Sequence, residues 1–167
     1  AVVARSLTVL IAGGTGTIGS ALHKELESSG HKVVLLSRTA GADRVAWNPE
    51  VSGIDLDAIA KEHGRIDAIV NLAGSTISKM PWTKNTKQDI IQSRLSSTTV
   101  LVDAIAQANH KPTVLVQGSA VGFYGNRDNE PLTESSPRGR GFLADVVVAW
   151  ETAAKPAEQH TRVAYAR

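Results

Sequence analysis

Gly13, Gly16 and Gly19 recur at intervals of three within Ala12-Gly13-Gly14-Thr15-Gly16-Thr17-Ile18-Gly19. An apolar run precedes them and an amphipathic run follows. That strand–turn–helix context is where spaced glycines can cradle a diphosphate. Gly13 permits the tight turn, Gly16 lets a phosphate reach the backbone, and Gly19 lets the helix pack on the strand. Amides near Thr17 and Ile18 then point out of the helix start, where the backbone dipole favours negative charge. Gly13, Thr15, Gly16, Thr17, Ile18 and Gly19 are the candidate cradle. The plain alternative is a glycine-rich turn, and the flanking patterns favour the cradle.

The second strand pattern bears on which dinucleotide would sit there. An acidic residue about 20 positions past the loop would hold a ribose 2′-hydroxyl. Here the strand ends Leu35-Leu36-Ser37-Arg38-Thr39, with no acid. Arg38 can pair with a 2′-phosphate, and Ser37 or Thr39 can add a hydroxyl donor. The expected cofactor is therefore NADP(H), with NAD(H) as the alternative.

These residues need rigid elements behind them. Leu7 to Ala12 is a near-continuous apolar run, as in a strand covered on both faces. His31 to Leu36, Ile66 to Leu72, Thr113 to Gln117 and Arg162 to Ala166 read likewise, with a weaker strand near Arg44 to Trp47. Between them, Ile18, Leu22 and Leu26 mark one helix that Gly30 stops. Asp55 can cap a short helix ending at Gly64 or, with Leu56, lie near an adenine. Ile91, Leu95, Thr98, Val102 and Ile105 predict a long helix over 85–108. Another is expected over 143–155, although Val146-Val147-Val148 favours a strand. Alternating strands and helices imply an α/β, doubly wound Rossmann-type parallel sheet in the order 3-2-1-4-5-6, with helices on both faces.

Composition narrows the function classes. With 167 residues and 42% apolar content the chain can bury one core, so residues 1–167 read as a single domain. Eighteen basic against 16 acidic residues leave a net charge of only +2, too little and too scattered for nucleic-acid binding. No apolar run approaches the roughly 20 residues of a membrane span. Arg5 interrupts the opening apolar stretch, so no signal peptide is expected and the expected location is cytoplasmic. No cysteine is present, which excludes thiolate chemistry, and the five histidines form no metal-spaced pair.

Taken together, the motifs resemble the short-chain dehydrogenase/reductase superfamily in its extended or atypical branch. Ala12 to Gly19 is similar to that branch's TGxxGxxG, with Ala12 for the usual Thr. Asn71-Leu72-Ala73-Gly74 resembles the motif after its fourth strand, which implies that Leu72, Ala73 and Gly74 line the nicotinamide side of a pocket. Pro81-Trp82-Thr83, Gln92-Ser93-Arg94, the run Gly118 to Gly125 and Ala149-Trp150-Glu151 resemble the sugar-nucleotide epimerase-like subgroup. Such proteins continue past the sixth strand. The resemblance thus implies a cofactor domain whose substrate-binding region lies outside this chain, and pairing of two copies through the long helix as a homodimer.

The resemblance also sets expectations for catalysis. Ser119 matches the relay serine, but the superfamily's Tyr-x-x-x-Lys pair falls on Leu143 and Val147, neither of which moves a proton. Tyr124, on the loop after strand five, is the candidate substitute acid, with packing as its alternative. Arg94 stands where relatives carry a relay asparagine and is the candidate for a substrate phosphate or carboxylate; a helix-surface arginine is the other reading. Two functions follow. One is an NAD(P)-dependent epimerase or oxidoreductase acting on a sugar-nucleotide-like or small carbonyl substrate. The other is a non-catalytic NADP(H)-binding sensor or regulatory module.

Overall fold

A computed structural model describes residues 5–78 and 80–167; residues 1–4, part of the stretch read above for a leader, lie outside it. The elements run β1 Thr8–Ala12, α1 Thr17–Ser28, β2 Lys32–Ser37, β3 Arg44–Ala46, α2 Leu56–His63, β4 Ala68–Asn71, α3 Lys84–Gln107, β5 Val114–Gly118, α4 Phe142–Ala154 and β6 Arg162–Ala166. Short 3-10 turns cover Val121–Tyr124 and Lys155–Gln159. The six strands form one sheet in the order β3-β2-β1-β4-β5-β6, every pairing parallel. Chain order reverses between β1 and β4, and in open α/β sheets ligands bind at such a switch point, beyond the carboxyl ends of the strands.

Alternation within each strand sends side chains to both faces. Leu10, Val34 and Ile69 pack with Leu56, Ile59, Leu101 and Ile105 from α2 and α3. Val9, Ile11, Val33, Leu35 and Val70 point the other way and meet Leu22 and Leu26 of α1. Both faces are apolar, which explains the near-continuous hydrophobic runs.

Several boundaries have visible causes. Asp55 accepts hydrogen bonds from the amides of Asp57 and Ala58, so it is the cap of α2. Thr83 accepts from the amide of Thr86 and starts α3 one residue earlier than expected. The buried face of α3 is Ile90, Ser97, Thr98, Leu101, Val102, Ala104 and Ile105, so Thr98, Val102 and Ile105 are buried as expected, whereas Ile91 and Leu95 are half-buried. The expected stripe was rotated at its start because the helix also leans on α4, which covers part of its flank. Val146 and Val147 are helical despite their β-branching, since both are buried on α4. Tertiary burial outweighs a propensity difference of a few tenths of a kcal/mol.

Four polar side chains are buried behind the carboxyl ends of β4 and β5. The Asn71 amide donates to Thr98 Oγ1 at 3.0 Å and to Gln117 Oε1 at 3.1 Å, while Asn71 Oδ1 accepts from the amide of Ala73 at 3.2 Å. Trp150 Nε1 donates to the same Thr98 oxygen at 3.0 Å. This cluster ties two strands to α3 and α4, and every member has a partner. Replacing Asn71 with Ala strands the Gln117 oxygen and the Ala73 amide. We expect a loss of about 2–3 kcal/mol, read as a lower urea midpoint at unchanged slope.

Candidate active site

The turn between β1 and α1 is packed to its limit on one side and open on the other. Gly13 has φ +80°, and a Cβ there would meet the Leu72 carbonyl at 2.6 Å. A Cβ on Gly19 would meet the Gly13 oxygen at 2.3 Å. Gly16 differs: its φ of −78° suits any residue, and an added Cβ would meet only the Gly13 oxygen, at 3.4 Å. Its Cα borders open space, as close approach by a phosphate requires. Gly16 is also the N-cap of α1 and has no side chain to cap with. Helical hydrogen bonding begins at the Ser20 amide, so the amides of residues 17–19 have no acceptor within the helix.

That open side belongs to a groove of about 770 Å³. Gly13, Gly16, Thr17, Ile18 and Gly19 form one end, with Leu72 beside them. Ser119, Val121 and Gly122, from the segment after β5, line the opposite side with Leu143, Val146, Val147 and Trp150 of α4. Arg94, Ala166 and Arg167 also line it. Ile18, expected on the packed face of α1, is instead 70% exposed at this edge, because the first helical turn stands clear of the sheet.

The remaining candidates divide. Leu72 lines the groove, Ala73 packs on the core beneath, and Gly74 lies under Arg94, whose side chain a Cβ would meet at 3.0 Å. Thr15 is exposed at the loop tip. Arg38 and Thr39 are exposed past the end of β2 and outside the groove's lining; the Ser37 hydroxyl donates to the Thr39 carbonyl. Arg94 is held by donation from Nη1 to the carbonyls of Ser75 at 3.0 Å and Ile90 at 2.9 Å, and its guanidinium lies 5.0 Å from the Trp150 ring. Burial lowers its pKa from the ordinary arginine value. It is an anchored cation in the groove wall rather than a free surface arginine.

The two candidate catalytic residues part company. Ser119 lines the groove, and its amide is fixed by the Ala166 carbonyl at 3.0 Å. Tyr124 does not reach the groove. Its ring is buried in the 3-10 turn, and its hydroxyl accepts from Arg167 Nη1 at 3.3 Å. The 3-10 turn over Val121–Tyr124 holds the tyrosine ring in the core, which corrects its expected position as a substitute acid. Leu143 and Val147 do face the groove, so apolar side chains stand where the resemblance would put Tyr and Lys. Tyr165 pairs with Glu158 at 3.0 Å. Burial, then that carboxylate, pushes its pKa well above the usual tyrosine range.

Two charged residues were not foreseen as functional. Ser119 Oγ donates to Glu151 Oε1 at 2.6 Å. Arg167 then grips the same carboxylate from two directions, Nε to Oε1 and Nη2 to Oε2, each at 2.8 Å. Burial alone would raise the Glu151 pKa, but hydrogen bonds from Arg167 and Ser119 outweigh it and the net direction is down. Trp150-Glu151 was visible as a motif. Nothing in its spacing shows that α4 turns the carboxylate toward β5.

Residues 9–142 match the sequence profile of the NAD dependent epimerase/dehydratase family. The chain belongs to that family. An epimerase family protein of Mycobacterium bovis is 41% identical over 162 residues, which are 95% of this chain and 52% of that protein. The human epimerase family protein SDR39U1, solved with NADPH, superposes with a TM-score of 0.84 at 33% identity, over 96% of this chain and 53% of that one. A nucleoside-diphosphate sugar epimerase from Corynebacterium glutamicum gives a TM-score of 0.81 at 34% identity, over 98% of this chain and 34% of that one. The chain thus spans about half the length of the curated relatives it matches.

The glycine geometry separates binding from folding. Gly16→Val should leave the urea midpoint nearly unchanged yet weaken NADPH binding by well over about tenfold, since its methyl groups project where a phosphate must approach. Gly19→Val should lower stability by at least about 2 kcal/mol, because backbone atoms cannot yield. Fluorescence titration with NADPH and urea denaturation measure the two effects.

Proposed function

We propose that this domain binds NADP(H) and forms the cofactor half of an epimerase or oxidoreductase acting on a sugar-nucleotide-like or small carbonyl substrate. One observation carries the reading: a single groove joins the open amides of residues 17–19 to Ser119 and Arg94. The pyrophosphate would rest on Gly16 and the amides of Thr17 and Ile18, with the nicotinamide end toward Leu72 and Ser119. Arg38, exposed beyond β2, would pair with a 2′-phosphate, with Ser37 and Thr39 beside it. The NADPH bound to the human relative supports that choice.

When bound, the nicotinamide would supply hydride transfer. This chain's residues would do the rest. Ser119 would hydrogen-bond the substrate oxygen. Arg94 would hold a substrate phosphate or carboxylate, its guanidinium already oriented by Ser75, Ile90 and Trp150. The apolar wall of Leu143, Val146 and Val147 would exclude water from one side of the reacting carbon. With no titratable group on that wall, solvent would carry the proton.

The same wall supports a second reading, a cofactor-binding sensor without turnover, because Leu143 and Val147 replace the proton-moving pair. Full-length protein mixed with oxidised or reduced cofactor and a panel of sugar nucleotides, alcohols and small carbonyl compounds distinguishes the two, by a change in nicotinamide absorbance for a net oxidation or reduction and by formation of the epimerised product where the hydride is returned. Turnover is expected, with Ser119→Ala slower by at least about tenfold. Tight NADPH binding with no hydride transfer to any compound would favour the sensor. For the cofactor, Arg38→Ala should reduce the preference for NADPH over NADH by about tenfold, as loss of a charge-assisted phosphate contact implies. Equal affinities in the unmodified protein would remove the preference.

A further inference from the structure

The hydroxyl of Ser119 has one proton and two lone pairs. Its proton is directed at Glu151 Oε1 across 2.6 Å, the short distance expected for a hydroxyl on an ionised carboxylate. The carboxylate is held in turn. Arg167 bridges both of its oxygens at 2.8 Å. Arg167 is itself immobilised: its guanidinium lies 3.8 Å from the Phe123 ring centre, and Nη1 donates to Tyr124 Oη and to the Glu134 carbonyl, each at 3.3 Å. Lys155 adds a further positive charge near the carboxylate. Burial opposes ionisation of Glu151, but these hydrogen bonds and positive charges outweigh it, and the ionised carboxylate accepts hydrogen bonds and donates none.

We infer that Glu151 and Arg167 are positioning residues that lock Ser119 as a hydrogen-bond acceptor toward the groove, so that this end of the site selects a ligand hydroxyl over a carbonyl oxygen. The substrate form held at Ser119 is then the alcohol, whose O–H points at the serine oxygen. A carbonyl oxygen there would face lone pairs with no proton between. To be recognised it would have to pull the serine hydroxyl away from an ion pair, exchanging a charge-assisted bond for a neutral one about half as strong. Val147 and Leu143 close by are aliphatic and add no donor, and the Arg167 hydrogen bonds are directed at Glu151, Tyr124 and Glu134.

This inference rests on the groove being the substrate end of the site, and its test does not need the cofactor. Crystals of the full-length protein are soaked at equal, near-molar concentration with 2-propanol or with acetone, an alcohol and ketone of matched size. In the unmodified protein the 2-propanol hydroxyl should sit within hydrogen-bond distance of Ser119 Oγ, and the acetone oxygen should not. Glu151→Leu, similar in size, removes both accepting oxygens. Ser119 then has no carboxylate to donate to and its proton is released toward the groove. Acetone should then gain the contact, a reversal that a merely structural role for Glu151 would not produce. Acetone seated on Ser119 Oγ in the unmodified protein overturns the inference, as does equal seating of both probes or of neither. Neutron diffraction from deuterated, unmodified crystals keeps the question open to test if the variant fails to fold. The Ser119 deuteron should lie on the line to Glu151, and a deuteron facing the groove overturns the proposal. NADPH titration of the same protein is read separately, so failure to bind it counts against the cofactor assignment alone.

Discussion

The close stacking of the first βα turn on the end of β4 governs much of this molecule. Gly13 and Gly19 bring three backbone segments within a distance that admits no β-carbon. The packing leaves one surface of the turn facing outward, and that surface holds Gly16 and the amides of residues 17–19. Because the turn sits at the reversal of strand order, the same surface faces the ends of β4 and β5. A groove therefore opens there without any loop having to be built for it.

The rim of that groove is rigid for a second reason. Asn71, Thr98, Gln117 and Trp150 share hydrogen bonds behind it, and all four are buried. Gly118 matters here as well: a Cβ would meet the Asn71 carbonyl at 2.7 Å and the Trp150 ring at 3.0 Å. The glycine thus lets α4 close against β5, and that closure brings Val147, Trp150 and Glu151 to the site. Sheet and helices are joined there by polar bonds in a dry environment, where a missing partner is costly. Placement of Ser119 thus depends in part on Asn71, Thr98 and Gln117, which lie behind the groove.

The chemistry of the groove is correspondingly lopsided. Its lining includes two arginines, Arg94 and Arg167, and two hydroxyl-bearing residues, Thr17 and Ser119, while the α4 wall is apolar, formed by Leu143, Val146, Val147 and Trp150. A dry wall strengthens whatever polar contacts a ligand makes. Leu143 and Val147 stand where the resemblance would put the proton-moving pair, and the Ser119 hydroxyl is bound to the Glu151–Arg167 ion pair.

Most of the architecture was legible in the sequence because its causes are local. Buried parallel strands need apolar runs, which marked β1, β2, β4 and β5, while the edge strands β3 and β6 are more exposed and β3 gave the weaker signal; glycines at intervals of three announced the turn. Asp55 and Gly64 delimited α2 through capping and positive φ, which depend on the residue alone. Rotation about a helix axis was not legible: Ile90 rather than Ile91 is buried, since neighbouring helices determine which flank is covered. The fate of Tyr124 and Glu151 was hidden for the same reason. A tyrosine on the loop after strand five reads as a candidate acid, and a glutamate beside a tryptophan reads as the end of a helix. Their roles depend on Arg167, which is 43 residues from Tyr124 and 16 from Glu151 in the chain. Strand, turn and cap signals come from neighbours in sequence, whereas the direction of the Ser119 proton comes from three elements meeting in space. Only the packed structure could decide it.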